Sequence, residues 1–344
     1  MNQVHKLRKL IRDVDKTHKG LGAMLAINLL CAKAKITCLN IAPAECGKST
    51  ITDALTLILG ETAHKYTSLT LAGLKNIAEE LNQFTGHITI DDLGGEKSEW
   101  SRISTITVLA NLVYGHYVKK VTQAGVLELS DFYGSASLNI QPVLMQSLVA
   151  DNDWIAVIRG KVMRYYHLMR PLKPKIMTDV PRIEWGLPLQ EVMQPEHKGK
   201  LWYQLVAIAL TQWGYGRINE FLPRMLRAMA ALDQRSHTTQ EDYRLLAKMM
   251  KPMQLERNLV TSYGFESGRI FDNNAYCILV ELASHGNPTI ETICEDYKIS
   301  PATVERLAQS SPEWCWIKVN SPKRICPQEQ TTKIFKLAGV NQKW

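Results

Sequence analysis

The stretch IAPAECGKST, Ile41 to Thr50, is flanked by a compact apolar run, ITCLNI (Ile36 to Ile41), and by KSTITDALTLILG (Lys48 to Gly60). The run before it is β-branched and apolar, the composition of a buried parallel strand. The run after it places Ile51, Ala54, Leu55 and Ile58 on one helical face and stops at a glycine, Gly60. Strand, loop, Gly47-Lys48-Ser49, helix is the order in which a chain cradles phosphates. An α/β core with a parallel sheet flanked by helices is therefore expected.

The residue types give that expectation chemical content. Gly47 lets the backbone approach a phosphate with no Cβ in the way. The loop residues Ala42, Pro43, Ala44, Glu45 and Cys46, with the helix start at Thr50, offer amide donors and the positive end of a helix dipole. Lys48 is expected to reach the β- and γ-phosphates of a nucleotide, and Ser49 to ligate magnesium. Ala42 stands where the pattern has its first glycine, but Pro43 already fixes a turn, so a short side chain is tolerated. Cys46 is either a thiol activated by the helix start or a small filler. The expected cofactors are ATP and Mg2+.

A second segment, GHITIDDLGG, gives an alternating strand, Ile88 to Ile90, running into Asp91 and Asp92. An acidic pair at the carboxyl end of a strand is where a nucleotide-bound metal and an attacking water are handled. Asp91 is expected to hold the metal, mostly through water, and Asp92 to orient and activate the hydrolytic water.

Composition sets the surroundings. A length of 344 residues suits two or three domains, and 45% apolar with 22% charged content is that of a globular chain. The net charge of +8 leans toward a polyanionic partner such as DNA. Seven cysteines are scattered singly without metal-ligand spacing, which fits a reduced, cytoplasmic or nucleoid-associated setting. The most apolar segment, LGAMLAINLLCAKA, is too short to cross a bilayer and carries Asn28, so it reads as a buried helix and no membrane partner is expected. The charged N-terminus has no signal-peptide core.

With these two motifs in place, the chain resembles the AAA+ ATPases. The run ITIDDLGGEKSEW, Ile88 to Trp100, is similar to the corresponding segment of bacterial and phage replicative-helicase loaders and their transposon-encoded relatives. The resemblance implies a first sensor at Asn139, in the strand-like SASLNIQP. It implies a trans-acting finger at Arg159, with Arg164 in reserve, just before a last core strand from Val162 to Met169. Such an arginine serves a neighbouring subunit, so self-association into a ring or filament is implied. It further implies a helical lid in LPRMLRAMAALDQRSHTTQEDYRLLAKMM, with Pro223 near a helix start and Arg224 as second sensor, Arg227 being the rival. Thr238 or Thr239 is expected to cap the next helix.

Ahead of Asn139, Lys119 and Lys120 precede the alternating run GVLELSDFYG, read as an inserted hairpin or strand. In ring-shaped DNA motors such a hairpin faces the pore and tracks a phosphate backbone; a solvated lysine-decorated edge is the other reading. After residue 272 the pattern changes to three helices, the third capped by Ser300 with Pro301 next. Two alternating strands, WCWIKVN and TTKIFKLAG, then flank a basic loop. This looks like a winged helix, with Thr303 and Arg306 on the recognition helix and Lys323 and Arg324 on the wing. Such modules bind DNA or dock proteins.

The expected division is an N-terminal helical extension (1–20), an AAA+ core (21–180), a helical lid (181–262) and a winged-helix domain (263–344). The expected function is a DNA-dependent ATPase of replication: an initiator, helicase or helicase loader. The alternatives are a transposition or defence regulator assembling on DNA, partnered by a helicase or transposition protein, and a protein-remodelling ATPase.

Overall fold

The computed structural model describes residues 5–93, 98–122, 125–151, 154, 158–170, 177, 180, 183–262 and 269–344. The apolar run before the loop forms β1 (Thr37–Ile41), buried along its whole length. The next strands are β2 (Ala63–Ser68), β3 (His87–Asp92), β4 (Val118–Thr122), β5 (Gly125–Leu129), β6 (Ser135–Ile140) and β7 (Val162–Tyr166). Five of them make one sheet in the order β2-β3-β6-β1-β7, with every pairing parallel. The crossover after β1 runs toward the β2 edge, and the one after β6 steps over β1 to β7. This reversal leaves a crevice at the carboxyl end of β1, where α/β sheets take ligands.

Alternation along the strands divides the core into two layers. Leu39, Ile41, Ile88, Ile90 and Leu138 face the helices Glu99–Gly115, Pro142–Ala150 and Asn273–His285. Cys38, Met163 and Tyr165 face the helices Lys6–Thr17, Gly22–Ala34 and Lys48–Leu59. Gly22–Ala34 is buried over its entire length, as its composition required. Among the described residues, no helix is long and apolar enough to cross a membrane.

Several expected boundaries move. The helix Lys6–Thr17 is no loose extension, because Leu7, Leu10, Ile11 and Val14 are buried in the second layer. The helices Gly199–Ala209, Tyr215–Leu232 and Gln240–Met250 belong to that same layer rather than to a separate cap. Pro223 lies inside Tyr215–Leu232, not at its start. The buried stripe Ile218, Phe221 and Leu222 begins upstream of it, and packing overrides the proline's preference. Thr239 does cap Gln240–Met250, in a capping box with Asp242.

The run after residue 117 is an antiparallel hairpin, β4 with β5. A second hairpin pairs β8 (Val260–Ser262) with β9 (Arg269–Phe271), so the expected boundary at 262/263 cuts a paired element. The last segment has helices Asn273–His285, Ile290–Tyr297 and Pro301–Gln309, then β10 (Cys315–Lys318) and β11 (Arg324–Pro327). TTKIFKLAG is helical through Ala338, within Glu329–Ala338, and Gly339 caps that helix, so the run does not form the second strand. Its buried residues Thr331, Ile334 and Ala338 follow the helical period, and the basic loop itself supplies β10's partner.

Candidate functional site

The loop leaves β1 at Ile41 and ends at Gly47, which caps the helix Lys48–Leu59 with φ +79°. Glu45, at φ +61°, is the loop's other left-handed residue. Ala42 is not left-handed, which is why alanine is unstrained there. The positive φ of Gly47 favours glycine, and a Cβ on it would in addition press on the end of the Leu21 side chain at 2.7 Å. The first turn of the helix carries no acidic residue, so its dipole stays open to an anion.

Lys48 folds back over this loop. Its ammonium donates to the carbonyls of Ala42 and Pro43, each at 2.6 Å. Burial lowers its pKa to about 8, against the opposing pull of Cys46, Asp91 and Asp92. Ser49 is exposed one residue on, and Thr50 is half-buried. Burial also raises the Cys46 thiol to about 11. Cys46 is therefore the small filler, not an activated thiol.

The acidic pair ends β3, with Asp91 half-buried and Asp92 exposed. Asn139 Nδ2 donates to Asp91 Oδ1 and to Thr52 Oγ1, both at 2.8 Å. Its oxygen accepts from Asn40 Nδ2 at 3.1 Å, and Asn40 and Asn28 exchange two further bonds of 2.8 and 3.0 Å. Asn40 and Asn139 are register partners across β1 and β6. A buried amide ladder thus runs from the helix Gly22–Ala34 through two strands to the carboxylate. Each polar group in it has a partner, so it fixes Asp91 without the cost of an orphaned buried amide. Asn40 and Thr52 had no expected role. The signal available for Asn40, as for Asn28, was an amide inside an apolar run.

Other expected residues are not brought to the loop. Arg224 donates to the Lys35 carbonyl at 2.7 Å and pairs with Glu220 at 3.2 Å. Lys35 precedes β1, so Arg224 sits at the amino end of the sheet, opposite the Gly47-Lys48-Ser49 loop. The second-sensor role implied by the resemblance loses its geometric basis, because the helix carrying it packs on Gly22–Ala34 rather than over the loop. Arg227 donates to the Leu189 carbonyl instead. Arg164, the reserve finger, is fully buried and grips Glu256 with bonds of 2.6 and 2.9 Å. It cannot reach a neighbouring subunit. Arg159 lies just before β7, about a quarter exposed, with its guanidinium 3.7 Å from Glu256.

The cation that does adjoin the loop is Arg170, just beyond β7. It pairs with Glu45 at 3.4 Å and with Glu281 at 3.2 Å, and lies over the Tyr297 ring at 4.5 Å. Nothing in the sequence singles it out. From the same C-terminal segment, the Tyr276 hydroxyl contacts the carbonyls of Ile41 and His167, each at 2.6 Å. The C-terminal helices therefore rest directly on the strand ends that carry the loop.

The outlying basic residues are placed as follows. Lys119 is exposed and pairs with Glu128 at 2.9 Å, while Lys120 lies over the Trp100 ring at 5.3 Å. Thr303 donates its amide to Ser300, and Arg306 on the same helix is exposed. Lys323 pairs with Glu305 at 2.7 Å, which offsets the acid on that helix. Arg324 is exposed and donates to the Asn287 carbonyl at 2.9 Å.

The donor set fits the polyphosphate end of a magnesium nucleotide: a left-handed glycine turn, an ammonium, a hydroxyl and an oriented carboxylate at one end of the sheet. Lys48, Ser49, Asp91 and Asp92 are the residues that would hold it. The chain matches no family model, and no curated protein matches it.

Proposed function

We propose that this chain is an AAA+-type ATPase that acts on DNA as a replication initiator, helicase or helicase loader, working as a ring or filament. The observation that carries the reading is that the Gly47-Lys48-Ser49 loop after β1 and Asp91 at the end of β3 share the carboxyl edge of the sheet. There Asn139 of the intervening β6 bonds both Asp91 and Thr52 of the loop's helix. ATP with magnesium supplies the phosphoanhydride bond and the charge that shields it. The loop amides and Lys48 would hold the β- and γ-phosphates, Ser49 and Asp91 would hold the metal, Asp91 mostly through water, and the exposed Asp92 would orient and activate the hydrolytic water. The net charge of +8 and the exposed Lys119, Arg306 and Arg324 support a DNA partner.

A second reading, an ATP-gated regulator of transposition or defence, is favoured by the contact of Tyr276 and Arg170 with the loop region. It lets nucleotide occupancy be read by the C-terminal helices directly. The test is nucleotide binding and turnover, with and without DNA. Lys48→Ala is expected to lose nucleotide affinity, and Asp92→Asn to keep it while turnover falls. Intact affinity in Lys48→Ala defeats the ATPase reading. ATPase activity indifferent to single- and double-stranded DNA defeats the DNA reading and leaves protein remodelling, whereas DNA binding without strand separation points to loader or regulator.

A further inference from the structure

Away from the phosphate loop, two trios of histidine and carboxylate side chains converge. The first is His5, Asp233 and Asp242. There His5 Nε2 and Asp242 Oδ1 are 2.8 Å apart, a charge-assisted hydrogen bond. The Arg235 guanidinium spans both carboxylates, 3.0 Å from Asp233 and 2.6 Å from Asp242. A cation already fills that cluster, and it ties the N-terminal helix to Gln240–Met250.

The second trio lacks the short hydrogen bond and a guanidinium that bridges two carboxylates, although Arg170 touches Glu281. Glu281 and His285 stand one turn apart on the helix Asn273–His285, and Asp296 comes from Ile290–Tyr297. Their ligand atoms Glu281 Oε2, His285 Nε2 and Asp296 Oδ2 lie within 4.8 Å of one another. All three atoms are buried and make no hydrogen bond of ordinary geometry, although the Tyr297 hydroxyl lies close enough to Glu281 to favour its charged form. The Glu281 side chain is only 1% exposed, so its unmatched oxygen is costly as it stands.

The distances leave room for an ion. His285 Nε2 is 3.5 Å from the Glu281 oxygen and 3.2 Å from the Asp296 oxygen. A charge-assisted hydrogen bond closes to about 2.7–2.9 Å. Ligands on a tetrahedral ion with bonds of about 2.0–2.1 Å stand roughly 3.3 Å apart. The His285–Asp296 distance is at the long limit of a hydrogen bond and the His285–Glu281 distance lies beyond it, while two ligands of one ion take both.

We propose that Glu281, His285 and Asp296 form a divalent transition-metal site of the zinc class, bracing the first two helices of the C-terminal segment against each other. One imidazole and two carboxylates supply the charge and the intermediate softness such an ion takes, with water completing four ligands. The second oxygen of Glu281 accepts from Arg170 Nε at 3.2 Å, the outer contact that orients a ligating carboxylate. His285 and Asp296 remain 19% and 28% exposed, which gives the ion an entry path. Because Arg170 also pairs with Glu45, the metal would hold one end of the chain of contacts that reaches the phosphate loop.

The test uses the full-length chain, stripped with a chelator and titrated with Co2+ and then Zn2+. One equivalent of Co2+ is expected, with the visible absorption of a four-coordinate nitrogen and oxygen site and no thiolate charge-transfer band. Zn2+ should displace it and raise the melting temperature. His285→Gln and Asp296→Asn, both at partly exposed positions, should each weaken uptake by at least about tenfold. Asp91→Asn should leave this equivalent in place, which separates it from magnesium at the loop. No stoichiometric uptake by the folded wild-type chain overturns the proposal. So does uptake that survives both substitutions, or a spectrum dominated by thiolate.

Discussion

Lys48 is the residue on which the proposed chemistry turns, and its surroundings make it titrate within reach of experiment. Burial brings its pKa to about 8, so the ammonium is lost as pH rises through that value in the ligand-free protein. A bound polyphosphate stabilises the charged form and raises the pKa again. Nucleotide binding must therefore take up a proton above pH 8, and affinity should fall by up to about tenfold per pH unit from there until the bound-state pKa is reached. Calorimetry in buffers of different ionisation enthalpy measures that uptake directly. Affinity that stays flat from about pH 8 to 9.5 would overturn either the lowered pKa of Lys48 or its contact with the phosphates. The loop and the acidic pair were legible as local patterns on recognisable strand and helix ends, whereas Asn139 was reached only through the resemblance. Arg170 was not legible, because its nearness to Glu45 depends on a loop meeting the residue that follows a different strand.

At the scale of elements, the helix Asn273–His285 is the surprise. It reads as the first helix of an independent module, yet Ala275, Tyr276, Leu279 and Val280 are buried in the sheet's own core layer. Tyr276 fixes the contact. Its hydroxyl oxygen lies 2.6 Å from the carbonyl oxygens of both Ile41 and His167, where the loop and the segment after β7 begin, so its single proton serves the two acceptors between them. Tyr276→Phe should lower unfolding stability by about 1–2 kcal/mol, since buried carbonyls lose a donor. The loss is bounded because the His167 amide still donates to Ile41 at 2.9 Å. Denaturant unfolding followed by circular dichroism measures it; a variant as stable as wild type would mean the hydroxyl contributes nothing. The helical lid was misplaced for the converse reason. An amphipathic pattern shows that a helix has an apolar face but not which surface covers it, and here the cover is Gly22–Ala34 rather than the loop.

At the scale of the whole molecule, activity in the proposed reading needs more than one copy. Arg159 stands at the amino side of β7, and Glu256 beside it is already gripped by Arg164. Arg159→Ala therefore leaves that buried pair intact and isolates any role in a neighbouring active site. Hydrolysis should fall by at least about a thousandfold and recover when the variant is mixed with Lys48→Ala subunits, as followed by phosphate release. A mixture that stays inert, with both proteins sedimenting as monomers, counts against trans action. The C-terminal residues cannot be treated as a detachable unit in such work, because β8 and β9 straddle the expected boundary and Phe271 and Tyr276 belong to the central core.

The sequence by itself determined the parallel α/β core, the loop at the end of β1, the acid pair at the end of β3 and the capped helices. Each rests on contacts within a few residues or on a period a single element displays. Only the tertiary structure decided that Asn139 orients Asp91, that Arg224 lies at the wrong end of the sheet, and that Arg170 and Tyr276 join the C-terminal helices to the loop. Those facts depend on which faces meet, and packing of apolar surface is non-directional until the whole core closes.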